Sequence, residues 1–541
     1  MRPISSVASD LGLSDSEFVP YGPGVAKVSL SAIPASPARG RSHLILVTAM
    51  TPSKYGEGKT VNAIGLGMAL QRAGHRAVPV LRQPSLGPVF GVKGGATGGG
   101  RSTVEPSPRI NLGFTGDLRA VADAQNLLVS MVDNHLHHGN ALGLDPATIE
   151  IPRTVDLDDR ALRSIRVGVG KTIGPERPDR FVIAAASETA AIHQLNTGPA
   201  DLENRLGRMI VGRRADGVAV TAQDLHASGA MAALLADAIQ PNLVQTCEGT
   251  PALVHAGPFA NLGTGTASVL SVRLAMSRAD YVMVEAGFAT DLGAEKFIDI
   301  VSPVGGFAPD AAVLVITVEG LRHHGGTGDG SPEAAAGAME RGYANLDHHL
   351  RILKTLGLRT VVALNRRPGD TDEELARVRQ HVRDKGVDLA VSTVFKDGSS
   401  GAAELASLVA EAAGKGSKIT PAVTPGLSWR ERVETISRTI YGAEGVRFTP
   451  EAEAGGARLA QVGLDRAPVC MAKTPLSVTD DPKQFGVPSR FTVTVNRLRA
   501  WGGAGLAVAE LGSIMTMPGL PERPQAERIR LNSAGEVEGV T

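Results

Sequence analysis

The chain has 541 residues with 55 basic and 55 acidic side chains, so its formal net charge is +0 and no overall field attracts nucleic acid or an anionic membrane. Aromatic residues make up only 4% of the chain, and the two cysteines, Cys247 and Cys470, supply no disulfide framework. No apolar run is long enough to span a bilayer, and the first residues lack a signal-peptide pattern. We therefore expect a cytoplasmic protein that binds neither nucleic acid nor a membrane.

In chain order, short apolar runs alternate with helical patterns, as in the βαβ units of α/β proteins. The runs are apolar along nearly their whole length, which is typical of parallel strands covered on both faces. They lie at 43–50, 77–83, 181–187, 281–287, 311–317 and 360–365. Helices are predicted at 61–74 and around 338–356. From about residue 446 the alternation fades, which favours a smaller C-terminal domain.

The first predicted strand and helix enclose the sequence TPSKYGEGKT, which ends in Gly58-Lys59-Thr60. This order is the context of a phosphate-binding loop, although Ser53 stands where the usual spacing begins with glycine. We expect Lys59 to reach the β- and γ-phosphates of ATP and Thr60 to hold Mg²⁺. The alternative is an ordinary βα turn with a surface lysine. The predicted ATP-binding residues are Thr51, Pro52, Ser53, Lys54, Tyr55, Gly56, Glu57, Gly58, Lys59 and Thr60.

Other candidate ligand-binding residues follow predicted strands. Glu285 and Asp117 are both candidates to orient Mg²⁺ or a bound water, and either could instead cap a turn. Arg82 ends a predicted strand, where open α/β sheets bind ligands, and its planar guanidinium suits a small carboxylate or an acyl phosphate. The glycine-rich stretch 94–100 predicts either close approach of a ligand to the backbone or a flexible surface loop.

Three histidines at 135, 137 and 138 in DNHLHHGN raise the question of a metal site. No cluster of further ligand residues completes the set nearby, so we expect no catalytic metal at this stretch.

Together these stretches resemble the formate–tetrahydrofolate ligase family. The matching segments, in family order, include GEGKT (56–60), PSLGPVFGVKGGATGGG (84–100), FTGD (114–117), ADYVMVEAGFATDLGAEKF (279–297) and MTMPGLP (515–521). The resemblance implies an ATP-dependent ligase that forms formyl phosphate from formate and transfers the formyl group to N10 of tetrahydrofolate. It implies catalytic roles for Lys59, Arg82 and Asp117, and usually a homotetramer.

The resemblance also implies a large phosphate-loop NTPase-like α/β domain with a parallel sheet and two smaller α/β or α+β domains. The expected divisions are 1–345 for ATP and formyl phosphate, 346–445 for the acceptor, and 446–541 for the small C-terminal domain.

The departures from the family concentrate around the acceptor. Arg367 stands where the family usually has phenylalanine, and Phe395 aligns with a tryptophan; the two family aromatics sandwich the pterin ring. Gln83 replaces a glutamate associated with a monovalent cation, which leaves a cation requirement open. Two alternative functions therefore remain in addition to that of a folate ligase. One is a paralogue that activates formate or another small carboxylate for a non-folate amine. The other is a deviant phosphate-loop switch ATPase, in which Lys54 would reach a neighbour's phosphates.

Overall fold

A computed structural model describes residues 1–36, 42–53, 56–170, 174–326 and 337–540. The strands are β1 (Phe18–Pro20), β2 (Ala26–Val28), β3 (His43–Ala49), β4 (Ala77–Leu81), β5 (Gly98–Gly99), β6 (Ser102–Glu105), β7 (Arg153–Val155), β8 (Ile165–Val167), β9 (Arg177–Asp179), β10 (Phe181–Ile183), β11 (Ile210–Arg213), β12 (Ala219–Thr221), β13 (Asn242–Thr246), β14 (Pro251–Val254), β15 (Tyr281–Glu285), β16 (Ala311–Ile316), β17 (Thr360–Asn365), β18 (Asp388–Ser392), β19 (Gly445–Phe448), β20 (Val469–Ala472), β21 (Thr492–Trp501), β22 (Leu506–Leu511), β23 (Arg530–Leu531) and β24 (Val537–Glu538).

The helices pack around and between these strands. They are α1 (Ile4–Asp10), α2 (Lys59–Arg72), α3 (Leu86–Phe90), α4 (Ser107–Asn111), α5 (Asp117–His137), α6 (Glu188–Leu195), α7 (Pro199–Gly207), α8 (Ser228–Leu234), α9 (Val269–Arg278), α10 (Ser302–Gly305), α11 (Val318–Gly325), α12 (Ala338–Thr355), α13 (Asp372–Asp384), α14 (Val394–Asp397), α15 (Ala403–Lys415), α16 (Trp429–Ile436) and α17 (Pro450–Gln461). Within the described residues, no helix has both the length and the apolar character needed to cross a membrane.

One large sheet organises the fold, with the strand order β1-β2-β13-β14-β4-β15-β3-β16-β17-β18. From β14 to β18 along this order, every neighbouring pair is parallel. The central strand β3 is buried along almost its whole length because helices cover both faces of the sheet. The prediction of an α/β protein with a large, mostly parallel sheet is thus confirmed.

The run at 181–187 differs from its prediction as a strand of this sheet. Only Phe181–Ile183 is extended, and it pairs with β7 in a separate two-stranded sheet. The next three alanines form a 3-10 turn that ends at Ser187. Ser187 then caps α6 by accepting a hydrogen bond from the Ala190 N–H, so the serine and the alanines favour helix over a longer strand.

The strands after residue 346 belong to two different sheets, which is relevant to the expected domain boundaries. β17 and β18 extend the large sheet, and a four-stranded sheet of order β19-β21-β22-β20 begins at Gly445. The three-domain division at 345 and 445 stays a prediction.

Candidate functional site

The turn between β3 and α2 has the form expected of a phosphate loop. Lys59 is the first residue of α2, and Gly58 before it adopts a left-handed conformation with φ 86°. A Cβ atom on Gly58 would lie 2.4 Å from Asn365 Nδ2, so this position requires glycine for both its backbone and its neighbour. The order of strand, turn and helix is confirmed, and Lys54 and Tyr55 lie outside the described residues.

Glu57 holds the loop in shape. Its buried carboxylate accepts hydrogen bonds from the Ser53 N–H at 2.9 Å and from the Thr317 hydroxyl at 2.5 Å. Asn365 Nδ2 donates to the Glu57 carbonyl at 3.1 Å. Because both carboxylate oxygens bond to the protein, the Glu57 side chain supports the loop rather than presenting a free charge to a ligand.

Thr51, at the start of the loop, is held by buried side chains from α11 and α12. Its N–H donates to His349 Nε2 at 2.8 Å, and Asn345 Nδ2 donates to its hydroxyl at 3.1 Å. His324 Nε2 donates to the Thr51 carbonyl at 2.8 Å. Since His349 Nε2 accepts, its proton is on Nδ1, which donates to the Thr290 hydroxyl. Burial lowers the pKa of His349 well below its usual value, which keeps this ring neutral.

Arg82 and Glu285 come together with Lys59 at the carboxyl ends of adjacent parallel strands. Glu285 ends β15 opposite Val47 of β3, and Arg82 follows β4 on the other side of β15. Burial lowers the pKa of the Lys59 ammonium to about 8, while the Glu285 carboxylate opposes this shift and the Arg82 guanidinium adds to it. These effects identify Glu285 as a carboxylate that faces Lys59.

Lys93, which the sequence analysis did not single out, is a third cation of this group. The Lys93 residue is exposed to solvent, yet desolvation by the surrounding protein and the Arg82 charge lower the pKa of its ammonium, and Glu285 raises it. The sequence feature that could have identified Lys93 is its position just before the glycine-rich stretch 94–100. Three cations therefore lie near Glu285, with Glu57 as a second carboxylate that acts on Lys59, and the net positive charge suits a polyanionic ligand.

Several buried polar atoms at this strand edge have no hydrogen-bond partner within the described residues: Arg82 Nε, Gln83 Oε1 and Glu285 Oε1. A buried polar atom without a partner costs free energy unless a ligand or water satisfies it. The donor from Arg82 fits an anionic oxygen, and the Glu285 oxygen fits a cation. The residues present thus fit a nucleotide phosphate with its metal ion.

Asp117 lies in a different, fully paired environment. One carboxylate oxygen accepts from Lys27 Nζ at 2.6 Å and the other from Asn242 Nδ2 at 2.7 Å. Both charged side chains are almost inaccessible, with exposures of 3% for Lys27 and 2% for Asp117. Asn242 is opposite Val254, whose strand runs beside β4, so the pair lies one strand from the residue before Arg82. The helper-carboxylate role of Asp117 stays a prediction, and Lys27 was missed because no local pattern marks it.

Of the two predicted acceptor residues, Arg367 contacts the phosphate loop and Phe395 contacts the segment around Arg101. The Arg367 guanidinium donates to the Gly56 carbonyl, and the Arg367 N–H donates to Asp370 at 2.8 Å. Phe395, in α14, is 55% exposed. Its carbonyl accepts from the Arg101 N–H at 2.8 Å.

The glycine-rich stretch is explained by contacts within the chain. A Cβ atom on Gly100 would lie 2.1 Å from the Phe395 carbonyl oxygen, and one on Gly98 would lie 2.1 Å from the Ser102 carbonyl oxygen. A Cβ atom on Gly99 would meet the Phe395 ring at 3.0 Å. Contacts within the chain therefore require glycine at 99 and 100, beside Phe395 of α14, and at 98, beside Ser102 of β6.

The three histidines of DNHLHHGN lie at the end of α5. His135 Nε2 accepts a hydrogen bond from the Leu142 N–H at 3.1 Å, and the His137 and His138 rings meet edge to face with centroids 4.7 Å apart. His135 thus serves the turn that follows the helix.

Comparison with known proteins gives one consistent result. A family model described as formate–tetrahydrofolate ligase matches residues 1–541. A formate–tetrahydrofolate ligase from Roseiflexus sp. (strain RS-1) is 47% identical over 552 residues, covering 100% of this chain and 98% of the relative. That from Symbiobacterium thermophilum is 48% identical over 543 residues, with coverage of 100% and 98%. That from Thermotoga maritima is 47% identical over 545 residues and covers 100% of both chains.

Proposed function

Because the chain belongs to the formate–tetrahydrofolate ligase family, we propose that it couples ATP cleavage to the joining of formate and tetrahydrofolate. The products are 10-formyltetrahydrofolate, ADP and phosphate. The single observation that carries this proposal is the convergence of Lys59, Arg82 and Lys93 with Glu285 beside the phosphate loop. This charge arrangement suits both a triphosphate and an acyl phosphate.

The first step activates formate. A formate oxygen attacks the γ-phosphorus of ATP, the bond from this phosphorus to the β,γ-bridging oxygen breaks, and ADP leaves. Lys59 neutralises charge on the transferred phosphoryl group, and Arg82 binds the formyl phosphate through its planar donors. Lys93 adds a third positive charge to the same place. Thr60 and Glu285 would hold Mg²⁺, which supplies further neutralisation of phosphate charge when bound.

The second step transfers the formyl group. N10 of tetrahydrofolate attacks the formyl carbon, the bond from carbon to the phosphate oxygen breaks, and phosphate leaves as N10 loses its proton. We assign Asp117 as a helper carboxylate that positions this strand edge through its bonds to Lys27 and Asn242 and does not contact the substrate. Phe395 offers a π-face to the pterin ring, and Arg367 offers a guanidinium that stacks on an electron-rich ring.

We also propose two structural features that the family resemblance implies. The chain forms a phosphate-loop NTPase-like large domain with two smaller domains, and it assembles as a homotetramer. Gln83 offers a neutral amide oxygen where the family has a carboxylate, so we expect weaker activation by potassium or ammonium than a glutamate would give. A cytoplasmic location stays a prediction. The comparisons give no support to a non-folate acceptor or to a switch ATPase.

The test is a complete reaction with the purified chain. We expect ADP release and 10-formyltetrahydrofolate formation only when ATP, Mg²⁺, formate and tetrahydrofolate are all present. Formation of the product is measured by acid conversion to the methenyl form and its absorbance. ADP release at the same rate without tetrahydrofolate would contradict the folate proposal, and no ADP release with any amine would contradict the ligase proposal.

A further inference from the structure

A cavity of about 80 Å³ lies away from the phosphate loop. It is formed between the segment that carries β10, α6 and β11 and the C-terminal elements α17, β21 and β22. Its lining contains no residue of the loop 51–60 among those that the structure describes. Four arginines from four different elements or turns line this cavity, which we call the arginine cavity: Arg180, Arg213, Arg458 and Arg499. Arginines gathered from distant parts of the chain repel each other unless negative charge compensates them.

Within the part of the chain that the structure describes, Arg499 is the one of these arginines with a carboxylate in an ion pair. Arg499 Nε donates to Glu510 at 2.5 Å, and the two side chains are mostly buried. Arg458 forms neither a hydrogen bond nor an ion pair with any residue in the described ranges. It nevertheless lies near Arg213, because its charge helps to lower the pKa of the Arg213 guanidinium beyond the effect of burial.

The other two arginines bond to neutral oxygens. Arg180 Nη2 donates to the Glu150 carbonyl at 3.1 Å. Arg213 Nη1 donates to the Gly217 carbonyl and to Gln461 Oε1, each at 3.1 Å. Neither has a carboxylate within ion-pair distance in the described part of the chain. Carbonyl oxygens satisfy single donors but do not neutralise a guanidinium, so positive charge remains in the cavity.

The acidic side chains around the cavity do not remove this excess. Glu188 Oε1 accepts hydrogen bonds from the Gly503 N–H at 2.7 Å and the Ala504 N–H at 3.2 Å. Burial raises the pKa of the Glu188 carboxyl to about 7, so near neutral pH it carries less than a full negative charge. The Glu150 charge raises the pKa of Arg213, but the Glu150 side chain is exposed to solvent. Asp179 and Glu510 raise the pKa of Arg180, but Asp179 is paired with Arg153 and Glu510 with Arg499.

We propose that the arginine cavity binds a phosphate-type oxyanion at a site separate from the phosphate loop. A tetrahedral dianion offers four oxygens to several guanidinium groups at once, whereas a carboxylate offers two. A cavity of about 80 Å³ is large enough for a small tetrahedral oxyanion such as phosphate. The anion is either free inorganic phosphate or the phosphate of a small phosphomonoester. This inference does not depend on the proposed function.

The experiment is calorimetric titration of the full-length protein with inorganic phosphate, and separately with glycerol phosphate. A Lys59→Ala background removes the main cation of the phosphate loop and lowers binding there, and the part of the remaining binding that the cavity substitutions remove reports the cavity. We expect phosphate to bind this variant, and the double change Arg180→Gln and Arg458→Gln to weaken binding by about tenfold or more. Arg490→Gln, at an arginine that is 87% exposed, is the matched control and is expected to leave binding unchanged.

Two further measurements keep the test decisive. Thermal unfolding checks that the double variant folds, and Arg458→Lys, which keeps the charge, is expected to retain most of the affinity. Equal binding of both ligands identifies a phosphomonoester site, whereas binding of inorganic phosphate alone identifies a site for the free ion. Phosphate binding that survives the double change unaltered, or no binding of either ligand in the Lys59→Ala background, would overturn the proposal.

Discussion

The phosphate loop and the segment around Phe395, a predicted acceptor residue, are held by opposite kinds of contact. We call this segment the acceptor edge. In the loop, buried side chains fix the backbone, as the Glu57 carboxylate does for Ser53 and three side chains do for Thr51. At the acceptor edge, the Phe395 ring is largely exposed and its position depends on its own carbonyl and on glycines beneath it.

This difference determines which residues are free to vary. A loop side chain with several buried hydrogen bonds cannot be exchanged without leaving its partners unsatisfied. An exposed ring that contacts glycines is exchangeable, because the underlying backbone contacts do not involve it. Phe395 lies on the exchangeable side, whereas Arg367 is tied to the loop because its guanidinium donates to the Gly56 carbonyl.

The largest expected effect comes from removing the loop cation. Lys59→Ala should lower ATP-dependent turnover by about a thousandfold, since the transferred phosphoryl group loses the charge that stabilises it. Turnover is measured by ADP release. Lys354→Ala, at an exposed lysine on α12, is the control and should be neutral. A loss of less than about tenfold would exclude Lys59 from phosphate binding.

Two glycines with similar backbone conformations sharpen the comparison. Gly58→Ala should weaken ATP binding by about a hundredfold, because its Cβ atom would lie 2.4 Å from Asn365 Nδ2 in a left-handed turn. Gly74 also has positive φ, but its Cβ atom would meet nothing within 4 Å. Gly74→Ala should therefore cost about 1 kcal/mol of unfolding free energy and leave ATP binding unchanged. Equal ATP affinities in the two variants would contradict the role assigned to Gly58.

A smaller and more selective effect is expected at the acceptor edge. Phe395→Ala should raise the KM for tetrahydrofolate by about tenfold, as expected from the loss of one stacking face. The KM for ATP and the free energy of unfolding should change little, because the Phe395 side chain is exposed. Steady-state kinetics with each substrate varied in turn separates these effects. A rise in the ATP KM of the same size would place Phe395 at the nucleotide instead.

The smallest effect is a pH dependence of ATP binding. The pKa of Lys59 is about 8 without ligand, and bound phosphate favours the charged form and raises it. Binding therefore takes up a proton above about pH 8, and affinity should fall there by up to about tenfold per pH unit. Titration calorimetry in buffers of different ionisation enthalpy measures this uptake. Lys59→Arg, which stays charged, should abolish the dependence, and a wild-type affinity that is constant to about pH 9 would disagree with this pKa.

The local parts of the fold could be predicted from the sequence. The first strand, the glycine turn and Lys59 at the start of α2 follow from periodicity and turn chemistry within about 30 residues. Arg82 was found because it ends a strand, and parallel strands bring their carboxyl ends to one edge. The parallel sheet was predictable from its continuous apolar runs.

Contacts between distant segments could not be predicted in this way. Thr51 and His349 are 298 positions apart, and Lys27 and Asp117 are 90 apart. The run at 181–187 failed as a full strand because a capping serine, not its hydrophobicity, decides its end. The glycines at 98–100 were assigned to a ligand or a free loop, because α14, which contacts Gly99 and Gly100, follows almost 300 residues later.

The histidines around Thr51 limit the range of acidity in which the loop keeps its shape. Burial lowers the pKa of His324 to about 4 and that of His349 well below its usual value, while both rings take up protons near pH 6.5 in the unfolded chain. Acid therefore favours unfolding, by up to about 1.4 kcal/mol per pH unit for each ring below that point. The hydrogen bonds that hold Thr51 therefore depend on imidazoles that stay neutral.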